Sequence, residues 1–246
     1  MIVLGCVLAA AVYLGAAHLV PVLRGRARWP LARSAAWLGG LGCVVVALTG
    51  PLAAAHGDLR AHMAGHLLVG MVAPLLLVLA RPVTLTLRTL PLPAARRLSR
   101  VLRSTPLRVV GDPFVAVALN AAGLWVLYGT GLLPAMTHSP GLHAVVSVHV
   151  LLTGWLATAA VLALDPTPHR RGVTARAVAL AAGAAAHDVL AKALYAHPPA
   201  GTAHALEGAE LMYDGGTVVH LAVAAVLWRQ WYVSRGAVRS AALAAA

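Results

Sequence analysis

Residues 61–82 read AHMAGHLLVGMVAPLLLVLARP, and this stretch decides the class of the protein. His62 and His66 are four residues apart, so a helix places them one turn apart on the same face. The residues between His66 and Arg81 are almost all apolar, and the whole stretch is long enough to cross about 30 Å of hydrocarbon. It predicts a membrane-spanning helix with two imidazoles near one end.

The composition extends this prediction to the whole chain. Of the 246 residues, 60% are hydrophobic and 11% are charged, whereas soluble domains carry about 25% charged residues. We therefore expect an all-α, polytopic membrane bundle, since the alternating strands of about ten residues that build membrane barrels are absent. The net charge of +12 comes from short basic clusters between apolar runs, which indicates cytoplasmic loops and anionic lipid headgroups and not a nucleic-acid partner.

The apolar runs predict seven spans in one domain covering residues 1–246. The spans are about 2–20, 34–50, 61–80, 114–133, 142–164, 174–195 and 209–233. The links after the first, third and fifth spans and the C-terminus all lie on one side of the membrane. Every arginine except Arg60 falls on that side. This asymmetry predicts an extracytoplasmic N-terminus and a cytoplasmic C-terminus in a bacterial-type plasma membrane.

A basic segment separates the third and fourth spans. Leucines are interleaved with its arginines, which favours an amphipathic segment on the inner leaflet over a plain solvated loop. The arginines concerned are Arg88, Arg96, Arg97, Arg100 and Arg103.

Apart from His18, which lies at the arginine side of the first span, the histidines within the spans lie near the middle or in the half away from the arginines. They are His62 and His66 in the third span, His143 and His149 in the fifth, His187 in the sixth and, about halfway along, His220 in the seventh. A histidine inside a membrane is costly and usually faces the bundle interior with a partner, so we expect a shared polar chamber. His143 and His149 lie about 120° apart on a straight helix, so both reach one centre only if the helix bends.

Other polar residues accompany these histidines. Asp188 is positioned to pair with Lys192 one turn away, and Glu210 and Asp214 share one face of the seventh span. We expect supporting or proton-carrying roles for them, with Met63, Met136 or Met212 as a further sulfur donor. Imidazole binds copper, zinc and iron, and thioether selects Cu(I). Gly-x-Ser-x-Gly and His-Glu-x-x-His motifs are absent, so we expect a protein that is not an enzyme.

Four sequence blocks together resemble the CtaG-like cytochrome c oxidase assembly factors. The blocks are His62-Met63-x-x-His66 with Arg81-Pro-Val-Thr-Leu85, Leu142-His143 with His149-Val-Leu-Leu-Thr-Gly154, Ala186-His187 with Leu190-Ala-Lys192, and Glu210-Leu-Met-Tyr213 with Gly215-Gly216. The resemblance implies a membrane protein for maturation of haem–copper oxidases, which supplies copper, as Cu(I), to an oxidase subunit. It also implies the metal ligands His62, His66, His143 and His149, with His187 as a further candidate.

The chain departs from the family pattern in two of these blocks. Ser147 stands where many relatives have a further histidine, Asp214 where an aromatic residue is common, and His220 where a carboxylate is frequent.

Two other classes of function stay open. A metal or proton permease would use Asp188, Lys192, Asp214 and His220 as its path and would need polar groups reaching the inner side. A haem-handling protein would use a pair of histidines as axial ligands.

Overall fold

A computed structural model describes residues 2–23, 25, 27–55, 57–199 and 201–244, with side chains for all of these except residues 137 and 235–244. Arg24, Arg26 and His56, which the sequence places in loops, lie outside the described residues. The described residues form helices joined by loops, as predicted, and their only β-type pairing is one isolated bridge between Asp58 and Ala203. In chain order the helices are α1 (Ile2–Leu23, with a π-helical turn at Gly15–Leu19), α2 (Leu31–Leu48), α3 (Pro51–Ala54), α4 (Leu59–Leu67, a π-helical turn at Leu68–Val72, then Ala73–Leu79), α5 (Pro82–Thr89), α6 (Leu92–Leu102), α7 (Thr105–Val110), α8 (Pro113–Gly129), α9 (Leu132–Thr137), α10 (Pro140–Leu162), α11 (Val173–Ala196) and α12 (Ala205–Ala244).

Six stretches in the described chain are long and apolar enough to cross a bilayer, which makes this a multi-pass membrane protein. They are Ile2–Leu23, Leu31–Ala54, Leu59–Thr89, Pro140–Leu162, Val173–Ala196 and Ala205–Ser234. The fourth predicted span, 114–133, is instead the shorter 17-residue helix Pro113–Gly129. It ends early because Thr130, between Gly129 and Gly131, is extended, with φ −126° and ψ −178°.

Helix α4 lies at the centre of the bundle and contacts α2, α10 and α12. Helices α8 and α11 close a ring with them, and α1 packs on the outside of α2. Helices α4 and α10 approach closely at Gly154, whose missing side chain leaves room for the carbonyl oxygen of Gly70 in the π-helical turn. Small residues at such contacts let membrane helices pack backbone to backbone.

Polar contacts tie the helices together at one end, which we call the arginine-rich end. The Asp165 carboxylate accepts hydrogen bonds from the Val83 and Thr84 backbone N–H groups, at 3.2 and 2.8 Å, and so caps α5. Arg176 is buried and donates to the last carbonyls of α10, those of Val161 and Leu162, at 2.9 and 3.0 Å. These bonds satisfy backbone oxygens that the end of a helix leaves without partners.

The basic segment forms helices α5, α6 and α7 at this end. Arg96, Arg97 and Arg100 of α6 are exposed, while Leu98 and Leu102 are half-buried, so α6 has the amphipathic pattern predicted for it. Arg88 of α5 lies over the ring of Trp29, 5.5 Å from its centroid. The carbonyl oxygen of Arg103 lies 3.3 Å from His169 Nε2.

The opposite end is held by the link between α11 and α12. The Leu59 N–H donates to the Ala203 carbonyl at 2.9 Å, and the Ala203 N–H donates to the Gly57 carbonyl at 2.8 Å. Asp58 caps α4 by accepting from the N–H groups of Arg60 and Ala61. These bonds fix the start of α4 and hence the level of His62 and His66.

The close contact of α4 with α10 is open to a direct test. Alanine at Gly154 places a methyl group onto the Gly70 carbonyl, so the helices must separate, and we expect a loss of about 1–3 kcal/mol of stability. The control is Gly42→Ala in α2, where an added Cβ meets nothing within 4 Å and the helix gains up to about 1 kcal/mol. The measurement is the Tm in detergent, and an unchanged Tm for Gly154→Ala would contradict the contact.

Candidate metal centre

A small cavity lies inside the ring of helices α4, α8, α10, α11 and α12. We call it the deep cavity; its volume is about 70 Å³. His66, His187 and His220 form part of its wall, and Asn120 and Thr158 are further polar residues on it. The rest of the lining is apolar, so the three imidazoles dominate its chemistry.

The three imidazoles of the deep cavity follow one another across three helices. The ring centroids of His66 and His187 are 6.0 Å apart with planes 14° from parallel, and those of His187 and His220 are 5.4 Å apart and edge-on. His66 and His187 are 7% and 5% exposed. Among the described residues, His66 Nε2, both ring nitrogens of His187 and His220 Nδ1 have no hydrogen-bond partner. Buried nitrogens of this kind cost free energy unless something binds them.

A carboxylate completes a set of metal-binding donors, which we call the deep triad: His187, Asp188 and His220. One donor atom from each of the three lies within 4.8 Å of the other two. Asp188 Oδ1 is buried, has no hydrogen-bond partner among the described residues and lies 3.8 Å from His187 Nδ1. Two imidazoles and a carboxylate at this spacing are a set that a transition-metal ion would fit after small side-chain rotations.

Helix α12 leaves room for His187 at a glycine. A Cβ added to Gly216 would lie 2.7 Å from His187 Nδ1, which is too close for any residue larger than glycine. The backbone of α12 thus passes directly beside the imidazole. This contact fixes His187 relative to His220, which follows Gly216 by one turn on the same helix.

A second cavity, the rim cavity, lies on the other side of His66. Its volume is about 60 Å³, and its wall includes His62, His66, His143 and the thioether of Met136. The hydroxyl of Tyr128 lies 3.1 Å from His62 Nε2, and its ring is edge-on to both His62 and His66, with centroid distances of 5.8 and 5.9 Å. His66 therefore belongs to both cavities, and Tyr128 lies between the two histidines of α4.

A wider cavity, the vestibule, lies beside the rim cavity at the end opposite the arginines and shares His62 with it. Its volume is about 210 Å³, and His62, His138 and Asp58 line it. The backbone N–H of Ala61 and the nearby His204 hold the pKa of Asp58 below its usual range. The carboxylate at the mouth is therefore ionised at neutral pH, and it faces Arg60 at 3.9 Å and His204 at 3.2 Å.

Several residues that the sequence singled out lie away from both cavities. His149 is exposed on α10, where a Cβ added to Gly123 of α8 would lie 2.7 Å from its Nε2. Glu210 and Asp214 are exposed on α12, because they lie about 80° and 120° around the helix from His220, which faces inward. Met63 is fully buried in the apolar core and lines neither cavity.

The pair expected between Asp188 and Lys192 does not form. Lys192 is exposed, and its Nζ lies over the ring of Tyr213, 5.1 Å from the centroid. Asp188 faces His187 instead, so its charge is available to the deep triad.

Two cavity residues, Tyr128 and Asn120, could not be predicted as site residues from the sequence. A tyrosine near a helix end usually marks the membrane interface, so nothing in its position pointed to His62.

Comparison with known proteins agrees with the resemblance seen in the sequence. Uncharacterized proteins of Mycobacterium bovis and Mycobacterium tuberculosis are each 35% identical over 152 residues, which are 58% of this chain and 23% of the relative. One of Mycobacterium leprae is 31% identical over 181 residues, or 68% of this chain and 27% of the relative. The match thus spans about a quarter of the length of these relatives, and no solved structure matches the chain. The family model described as cytochrome c oxidase caa3 assembly factor (Caa3_CtaG) matches residues 11–234. The chain therefore belongs to the cytochrome c oxidase caa3 assembly factor family.

Proposed function

We propose that this protein binds copper in the deep cavity and supplies it to a haem–copper oxidase during assembly. The observation that carries the proposal is the set of buried ring nitrogens without partners on His66, His187 and His220, beside the carboxylate of Asp188. A metal ion bound there would take one donor atom from each of His187, Asp188 and His220, which lie within 4.8 Å of one another, with His66 as the neighbouring imidazole. Membership of an oxidase assembly family supports copper as the ion, because imidazole binds copper well and haem–copper oxidases require it.

The two other functions considered are less well supported. A permease needs a polar path through the bundle, but an apolar cluster follows the deep cavity toward the arginine-rich end: Val78, Val161, Leu162, Val223 and Leu227. A haem protein needs room for a porphyrin, whereas about 70 Å³ holds an ion with about two waters.

We also propose that α8 crosses the membrane, which gives seven spans with the histidine-rich half on the extracytoplasmic side. Its 17 residues extend about 25 Å, at the short end of the range for spanning helices. The clustering of arginines at one end supports a cytoplasmic position for that end. Copper would then enter and leave from the extracytoplasmic half.

The first test concerns copper retained after washing with a chelator. We expect the purified protein to retain about one copper ion per chain and His187→Ala/His220→Ala to retain almost none, because two of the three donors of the deep triad are gone. His149→Ala should retain as much as wild type, since His149 lies outside both cavities. The measurement is elemental analysis of monodisperse protein, and equal copper in all three proteins would contradict the deep site.

The second test concerns oxidase maturation. In a strain lacking the gene, wild-type protein should restore oxidase activity and the copper content of the oxidase, and His187→Ala/His220→Ala should not. The matched control is His197→Ala, an exposed histidine in the link after α11. If the double variant restored the oxidase fully at equal membrane abundance, oxidase assembly would not depend on copper binding in the deep cavity, and the proposal would be contradicted.

The third test concerns topology. In a background with Cys6 and Cys43 replaced by serine, an impermeant maleimide added to intact cells should label His138→Cys and His197→Cys. It should label Arg100→Cys only after the cells are opened. Because only α8 separates residue 100 from residue 138 across the membrane, identical labelling of these two positions would show that α8 does not cross.

A further inference from the structure

We infer that the rim cavity is a second metal site, a loading site from which copper passes inward to the deep cavity. The inference rests on the proposed function, since it assumes that copper is the ion bound by the deep site. It adds a site, a direction of entry and a shared ligand. The two sites would act in series, with His66 between them.

The rim cavity has the donors that a cuprous ion prefers. His62 and His143 come from different helices, α4 and α10, and face one small cavity with His66. Met136 of α9 adds a thioether, and this side chain is 4% exposed. Two or three imidazoles with one thioether form a soft set suited to Cu(I). Ser147, also on the wall, donates its hydroxyl hydrogen to the carbonyl of His143.

The positions of the cavities give the direction of movement. His62 lines both the vestibule and the rim cavity, and His66 lines both the rim and the deep cavity. An ion that enters past Asp58 therefore meets His62 first, then His66, and then His187, whose ring centroid is 6.0 Å from that of His66. Each step exchanges one imidazole for another at an unchanged oxidation state, so transfer needs no electron donor or acceptor.

Tyr128 controls the first site. Its hydroxyl lies 3.1 Å from His62 Nε2, and a metal ion bound at that nitrogen must displace this hydrogen bond. The bond therefore weakens copper binding at the rim and keeps the loading site exchangeable. In the deep triad, both ring nitrogens of His187 and Nδ1 of His220 have no hydrogen-bond partner among the described residues.

The test is an anaerobic titration of the full-length protein in detergent with Cu(I), in competition with a chromophoric chelator. Wild type should bind two ions per chain, His62→Ala/His143→Ala one and His187→Ala/His220→Ala one. The control His149→Ala/His197→Ala removes two imidazoles outside the cavities and should still bind two. Elution volume and Tm report whether each variant is folded.

Tyr128→Phe provides a test that removes no metal ligand. Losing a competing hydrogen bond should tighten the weaker binding step by about two- to tenfold and leave the tighter step unchanged. If the rim variant does not fold, this variant decides the question, and an unchanged weaker step overturns the inference.

The possible failures are distinguishable. One ion bound by wild type and by the rim variant, but lost from His187→Ala/His220→Ala, overturns the second site and leaves the proposed function standing. If wild type binds no copper, the proposed function itself fails. Two ions bound by both double variants would overturn both sites.

Discussion

A polar side chain inside a bilayer must find its partners within the protein, because hydrocarbon offers none. This constraint explains why the imidazoles of three helices collect around one cavity and do not scatter over the lipid-facing surface. Glycines allow the helices to pack closely enough for this arrangement. The missing side chain of Gly154 leaves room for the Gly70 carbonyl, and that of Gly216 leaves room for the ring of His187. The helices are thus close enough for side chains from α4, α11 and α12 to share one small space.

The two ends of the bundle are built differently. At the arginine-rich end, Asp165 caps α5 and Arg176 binds the last carbonyls of α10, so neighbouring elements are joined by short charged hydrogen bonds. Charge-assisted bonds of this kind are stronger than neutral ones and restrict movement. At the opposite end, backbone hydrogen bonds and the Asp58 cap hold the start of α4, and the vestibule and rim cavity lie beside His62, whose Nε2 is 3.1 Å from the Tyr128 hydroxyl.

The sequence predicted the helical class, most of the spans and the family, and these predictions are confirmed. Apolar runs and arginine clusters are local signals that need no knowledge of packing. The length of α8 was harder to predict, because no charged residue or proline interrupts the sequence at Gly129-Thr130-Gly131. Only the extended backbone of Thr130 shows that the helix ends there.

The candidate site was predictable only in part, for a geometric reason. Sequence gives the angle between two residues on one helix, but not which side of that helix meets its neighbours. The conflict between His143 and His149 was visible beforehand, and the packing of α10 against α4 brings His143 to the rim cavity. Glu210 and Asp214 share a face, as predicted, but α12 turns the face of His220 inward. A contact between residues far apart in the sequence, such as Tyr128 and His62, cannot be predicted from one amino-acid sequence.

In the proposed series of two sites, the distribution of carboxylates would give inward movement of the ion a driving force. A cation moved into a medium of low dielectric constant loses hydration, and a nearby negative charge offsets part of that loss. Asp188 supplies such a charge at the deep triad, the wall of the rim cavity contains no carboxylate, and Asp58 in the vestibule already faces Arg60 and His204. An ion at the rim would therefore be attracted toward the deep triad, which adds two imidazoles to its carboxylate. Under the proposed function, release to an oxidase would require an acceptor that binds the ion more tightly than these three donors do, which is a requirement on the partner and not on this chain.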